Sequence, residues 1–242
     1  MNRIIKTALL CLLFISSSVF AEQGTKIYTE AELQNVRMSF LKSAIDNNDY
    51  ATQTSLAVSF YATSKSNQYK GDRKALRNES LQILSKCASA HYVPASFFLI
   101  TNFLRTNVTY AQKVARELIL YAENDKHDIL YDPNYYSSVM LYVSTILDSG
   151  TKDPKTLNFA INALEALPQK NAKTSFYTAF LFKNLGSYSI ASSYLNDACH
   201  KAKPGGNIYK YCAQSSNVDR VDQLVNKVEN SKCVKDISRR CK

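Results

Sequence analysis

The 242-residue chain predicts an all-α fold built as a stack of antiparallel helix hairpins. Three observations carry that prediction. Glycine and proline number only six and five, too few for the many turns of an all-β design. Apolar residues recur at three- and four-residue spacing in one segment after another. No stretch of useful length alternates apolar and polar residues as a half-buried strand does.

Residues 1–21 stand outside the fold argument. Arg3 and Lys6 precede an apolar run at 8–15, and Val19, Phe20 and Ala21 end it with a cleavage pattern; this is the make-up of a secretory signal peptide. The run falls well short of the ~20 apolar residues that span a bilayer. Cys11 follows Leu10 and not the small residue that a lipid-attachment site prefers. The expected organisation is a signal peptide at 1–21 and one helical domain at 22–242. The mature chain is then exported, periplasmic or secreted, with no integral membrane segment, and the style of the signal suggests a bacterial source.

The first helix is announced by Thr29 and Glu32, spaced as a capping box, with Tyr28 and Leu33 placed as a hydrophobic staple. Leu33, Val36, Phe40, Leu41, Ala44 and Ile45 follow at helical spacing as its inward face. Asn47, Asn48 and Asp49 break it, and a second helix at 50–63 turns Leu56, Phe60 and Tyr61 inward. A polar linker at 64–73 leads to a second hairpin at 74–105, where Pro94 suits the first turn of a helix. Helices at 110–123 and 135–147 are joined by a connection rich in acids. Gly150 caps the latter, and Asp153 and Pro154 take N-cap and N1 positions of a helix running to Leu167. A clear hairpin at 172–204 and helices near 208–214 and 218–228 complete roughly ten or eleven helices.

Within the hairpin at 172–204, small and apolar residues fall at fixed offsets: Ala179, Phe182, Gly186, Tyr188, Ala191, Leu195 and Ala198. Alanines let two helices approach closely, larger residues fill between them, and Gly186 sits in the turn. This segment resembles a tetratricopeptide repeat, a helix–turn–helix unit of about 34 residues. Pro204 lies near the family's closing proline, while the early tryptophan position is polar, around Ser175. Residues 86–100 are similar to the Sel1-like relative of that family through Ala88, Ala95 and Leu99, with His91 where the family prefers glycine. The resemblance implies an α-solenoid of stacked hairpins and a protein-binding scaffold, because each hairpin exposes an apolar side that a neighbour covers.

Charge is distributed unevenly. The formal charge is +10, of which Arg3 and Lys6 supply two. Residues 199–242 hold ten Lys/Arg and four Asp/Glu, a net +6, so most of the remaining +8 sits at the C-terminal end. Such an end suits an acidic protein, and export argues against nucleic acid. Of six cysteines, Cys11 leaves with the signal, and four of the remaining five lie in the last 44 residues. An oxidising compartment permits disulfides. Cys199 closes one helix and Cys212 falls in the next across a short turn, so Cys199–Cys212 is the expected pair, Cys233–Cys241 the second, and Cys87 a buried thiol.

No catalytic constellation emerges from the sequence. There is no GxSxG elbow, HExxH helix or phosphate-cradling glycine loop. His91, His127 and His200 lie far apart in sequence, and the acids Glu123, Asp125, Asp128 and Asp132 lack the glycine and closing glutamate of a calcium loop. The expectation is a non-enzymatic protein with no metal and no cofactor. Binding candidates are Tyr131, Tyr135, Tyr136 and Tyr142 around the acidic connection, Tyr209 and Tyr211 beside the basic end, and Lys235, Arg239 and Arg240 within it. The function expected is an exported adaptor or assembly factor for an envelope complex. The alternative is an immunity-type inhibitor that neutralises a toxic effector.

Overall fold

The structure, a computed structural model, describes residues 27–125 and 127–214. Residues 1–21, expected to be a signal peptide, and the helix expected near 218–228 lie outside the described residues. Every element among the described residues is helical, and none is a strand. No helix among them is long and apolar enough to cross a membrane. The chain divides into two compact units, with the division between Leu118 and Ile119.

The first unit opens with α1 (Glu30–Val36), a π-helical segment (Arg37–Leu41) and α2 (Lys42–Asp46) in continuous succession. The capping box forms at its start: the Glu32 amide donates to Thr29 Oγ1 at 3.3 Å and the Thr29 amide to Glu32 Oε2 at 2.8 Å. The π turn changes which residues face inward. A wide turn absorbs one extra residue, so the eight steps from Leu33 to Leu41 span about two turns, as seven would in an α-helix. Leu33, Leu41 and Ala44 are therefore buried, whereas Phe40, expected inward, is 54% exposed and Ile45 lies at the surface.

α3 (Tyr50–Lys65) begins at Asp49, whose carboxylate accepts from the Thr52 amide at 3.0 Å. α4 (Arg73–Ser89) packs against it, and the buried Ser80 hydroxyl donates to the Ala57 carbonyl at 2.7 Å. Between α4 and α5 (Val93–Phe103) the backbone turns through His91, whose φ of 58° is left-handed. A glycine adopts that conformation at lower steric cost, which is why a repeat pattern would place one there. Pro94 falls in the first turn of α5. The core joins Leu33, Leu41, Phe60, Tyr69 and Leu76. Arg37 ties the π segment to α4, donating from Nε and Nη2 to Glu79 at 2.9 and 2.6 Å.

Gly71 is required by a close approach. A methyl group on it would overlap the Tyr69 hydroxyl and the Glu30 carboxylate, which are joined by a 2.6 Å hydrogen bond donated by the phenol. Burial, and then that hydrogen bond to Glu30, push the Tyr69 phenol up to about 12 from its usual 10.0. The folded state thus holds this proton more tightly than the unfolded chain does. The corresponding stability is complete below pH of about 10 and is lost as pH rises from there towards 12. Gly71→Ala forces the pair apart; the expected results are a loss of about 1–3 kcal/mol in thermal unfolding and a tyrosinate titration that moves down towards 10. A variant that keeps the high titration refutes this account of the glycine.

α6 (Val108–Asp125) contains the division between the units. In the second unit a 3₁₀ segment (His127–Tyr131) precedes α7 (Pro133–Asp148), whose N-cap Asp132 accepts from the Asn134 amide at 2.7 Å. Gly150 follows α7 with φ of 61°, and Asp153 and Pro154 cap and open α8 (Pro154–Ala166), as the sequence predicts. α9 (Ala172–Asn184) and α10 (Tyr188–Lys201) form a hairpin about Gly186, at φ of 80°. Ala179, Ala191, Leu195 and Ala198 are buried and Tyr188 is half-buried, while Phe182 stacks on Tyr194 with centroids 5.5 Å apart. α9 also packs on α7 and α8, and α11 (Asn207–Gln214) rests on α9 and α10.

Candidate functional site

Four tyrosines close in sequence separate in space. Tyr135 is fully buried and Tyr142 is 3% exposed, edge-to-face with Phe159 at 5.7 Å. Seven residues make two helical turns, so both point from α7 into the core. Neither offers a surface to a partner, which corrects the expectation for this pair. Tyr131 is exposed, and the half-buried Tyr136 accepts a hydrogen bond from Asn171 Nδ2 at 2.9 Å. The acidic connection beside them contributes a helix cap through Asp132. Among the described residues no three His, Cys, Asp or Glu side chains come together as a metal-ligating group.

The other end of the second unit carries a built surface. Cys199 on α10 and Cys212 on α11 are joined by a disulfide, with Cα atoms 5.7 Å apart. The bridge fixes α11 so that Tyr211 lies edge-on to Phe176 at 5.2 Å and 6.2 Å from Phe180, both on α9. Phe176 and Phe180 are 4.8 Å apart, one helical turn from each other. Next to this cluster is a cleft of about 390 Å³, lined mainly by apolar atoms of Phe176, Tyr177, Ile208 and Tyr209 and flanked by Lys173 and Lys203. Tyr209 and Tyr211 remain 43% and 40% exposed. The Lys173 ammonium stands 5.6 Å from the Tyr177 ring and that of Lys183 5.5 Å from the Phe180 ring.

A separate polar network on α9 and α10 explains why the early position of this hairpin is not aromatic. Ser175 is buried and its hydroxyl donates to Asp197 Oδ2 at 2.5 Å, while Lys201 Nζ donates to the same oxygen at 2.7 Å. The Lys201 ammonium, and then the Ser175 hydroxyl, hold the Asp197 carboxyl below the usual carboxylate range. Tyr194 donates to Glu165 at 2.9 Å, and Lys170 donates to the carbonyls of Leu164 and Glu165 at the end of α8. These groups satisfy one another and bind the helices together.

The sequence singles out Tyr209 and Tyr211 but not Phe176, Tyr177, Phe180 and Lys173. The signal available is a second stripe on α9, Phe176, Phe180 and Lys183, running beside the face that buries Thr178 and Ala179. Lys235, Arg239, Arg240 and the Cys233–Cys241 pair lie outside the described residues. Cys87 is a buried free thiol whose Sγ donates to Gln53 Oε1 at 3.7 Å, and burial pushes its pKa up, which disfavours the reactive thiolate. Set against models of known protein families, against curated proteins and against solved structures, the chain matches none.

Proposed function

We propose that this is an exported helical-repeat protein of the tetratricopeptide and Sel1-like kind that binds another protein, acting as an adaptor or assembly factor for an envelope complex. The observation that supports this most is the aromatic cleft on α9 and α11. Tyrosine and phenylalanine held in fixed positions and partly exposed, with Lys173 and Lys203 at the edge, have the aromatic character of a recognition patch. A surface built on helices and braced by a covalent bond is pre-organised, which lowers the entropy lost on binding. The signal-like residues 1–21 and the Cys199–Cys212 bridge support export.

The test is site-specific photocrosslinking in the native host, with benzoylphenylalanine replacing Tyr209 or, as a control, Phe40 in the first unit. The expected result is a conjugate formed from position 209 and containing a component of a resident envelope complex. A single toxin captured there instead assigns the immunity-type role. No conjugate from position 209, or the same conjugates from both positions, overturns the reading.

A further inference from the structure

We infer that the cleft between α9 and α11 receives an acidic segment of the partner, anchored by one apolar side chain; this rests on the protein-binding reading above and specifies its partner. Two features select this chemistry together. The floor is apolar and aromatic, formed by Phe176, Tyr177, Ile208 and Tyr209, and suits a single inserted side chain. Its surroundings are cationic: from 170 to 214 the sequence has six lysines, no arginine and one acid, Asp197, already held by Lys201 and Ser175. Among the described residues Lys173, Lys183, Lys203 and Lys210 make no ion pair. The Tyr177 ring holds the Lys173 ammonium beside the cleft and that of Lys183 lies against Phe180, and neither meets a carboxylate among the described residues. A segment with carboxylates flanking a phenylalanine or leucine would supply both the anion and the plug.

Two other occupants fit less well. The chain's own residues 215–242 carry seven Lys/Arg against four Asp/Glu, so they share the sign of the surface. An anionic bilayer would satisfy the lysines, but membrane insertion needs protruding apolar groups. Here Phe176 and Tyr177 are half-buried along a concave cleft.

The experiment uses the mature full-length chain and a fluorescent synthetic peptide with aspartates and glutamates on both sides of one phenylalanine. Comparison peptides carry serine for the phenylalanine, glutamine and asparagine for the acids, or lysine for the acids; vesicles of phosphatidylglycerol form a separate arm. The acidic peptide is expected to bind, and the serine and lysine forms to bind at least about tenfold more weakly. Phe176→Ala should weaken binding by a similar factor, and Tyr209→Ser, at an exposed position, should do so with an unchanged melting temperature. Lys173→Glu with Lys203→Glu should slow association and flatten its dependence on salt. Equal binding of the neutral peptide overturns the acidic assignment while leaving the protein-binding reading intact. Binding of vesicles alone replaces it with a membrane surface. Failure of every peptide overturns the present inference, whereas crosslinking at position 209 decides the broader reading independently.

Discussion

Replacing Tyr135 with alanine should unfold the second unit more readily, by about 3–5 kcal/mol, without any specific effect on association. Tyr135 is among the largest fully buried side chains, on the same face of α7 as Val139, Tyr142 and Ile146. Truncation leaves a cavity that the surrounding helices fill only in part, so lost contacts add to the lost burial. The hydroxyl has the opposite sign of effect. No group among the described residues partners it, and burial, with a smaller contribution from the Glu123 carboxylate, pushes the phenol's pKa well up. A buried hydroxyl without a partner costs about 1–3 kcal/mol, so Tyr135→Phe should be neutral or stabilising. Urea denaturation followed by helical circular dichroism measures both variants. An unchanged midpoint for Tyr135→Ala, or a loss above 1 kcal/mol for Tyr135→Phe, would refute this placement.

Local chemistry was legible and long-range geometry was not. Thr29 with Glu32, Asp153 with Pro154, and Gly150 each act within one helical turn, so their residue types alone reveal where helices start and stop. Phe40 departs from the inward face that helical spacing predicts because the π turn depends on the core that Leu41 and Ala44 must reach, and no local residue announces it. The tyrosines of 131–142 differ in kind. Tyr135, Val139, Tyr142 and Ile146 follow the 3.6-residue period, which distinguishes them from Tyr131 and Tyr136; closeness along the chain is not closeness on a surface. The aromatic cleft needed α11 to return to α9, which periodicity on either helix cannot express. The cysteine pair could, and it was the residue-level feature that linked these helices in the sequence.

That pair leads to the second large effect. Cys199→Ser with Cys212→Ser should destabilise the protein by about 3 kcal/mol, the loop entropy released when a short closed loop is opened; the sequence separation here is 13. The loss should fall unevenly. α11 has eight residues, and an isolated helix of that length is unstable in water, so it persists through its docking on α9 and α10. Without the bridge, Tyr211 leaves Phe176 and Phe180, and Ile208 and Tyr209 leave the cleft, whereas the α9–α10 hairpin retains Ala179, Leu195 and Ala198 in its core. Hydrogen exchange should therefore rise sharply at 207–214 and little in α7, and a reducing agent should reproduce the pattern in the unaltered chain. Affinity for the acidic peptide should fall with it, because the aromatic floor is assembled only when both helices are in place. Protected amides at 207–214 in the serine variant would show that packing alone holds α11, and would separate the disulfide from the binding surface.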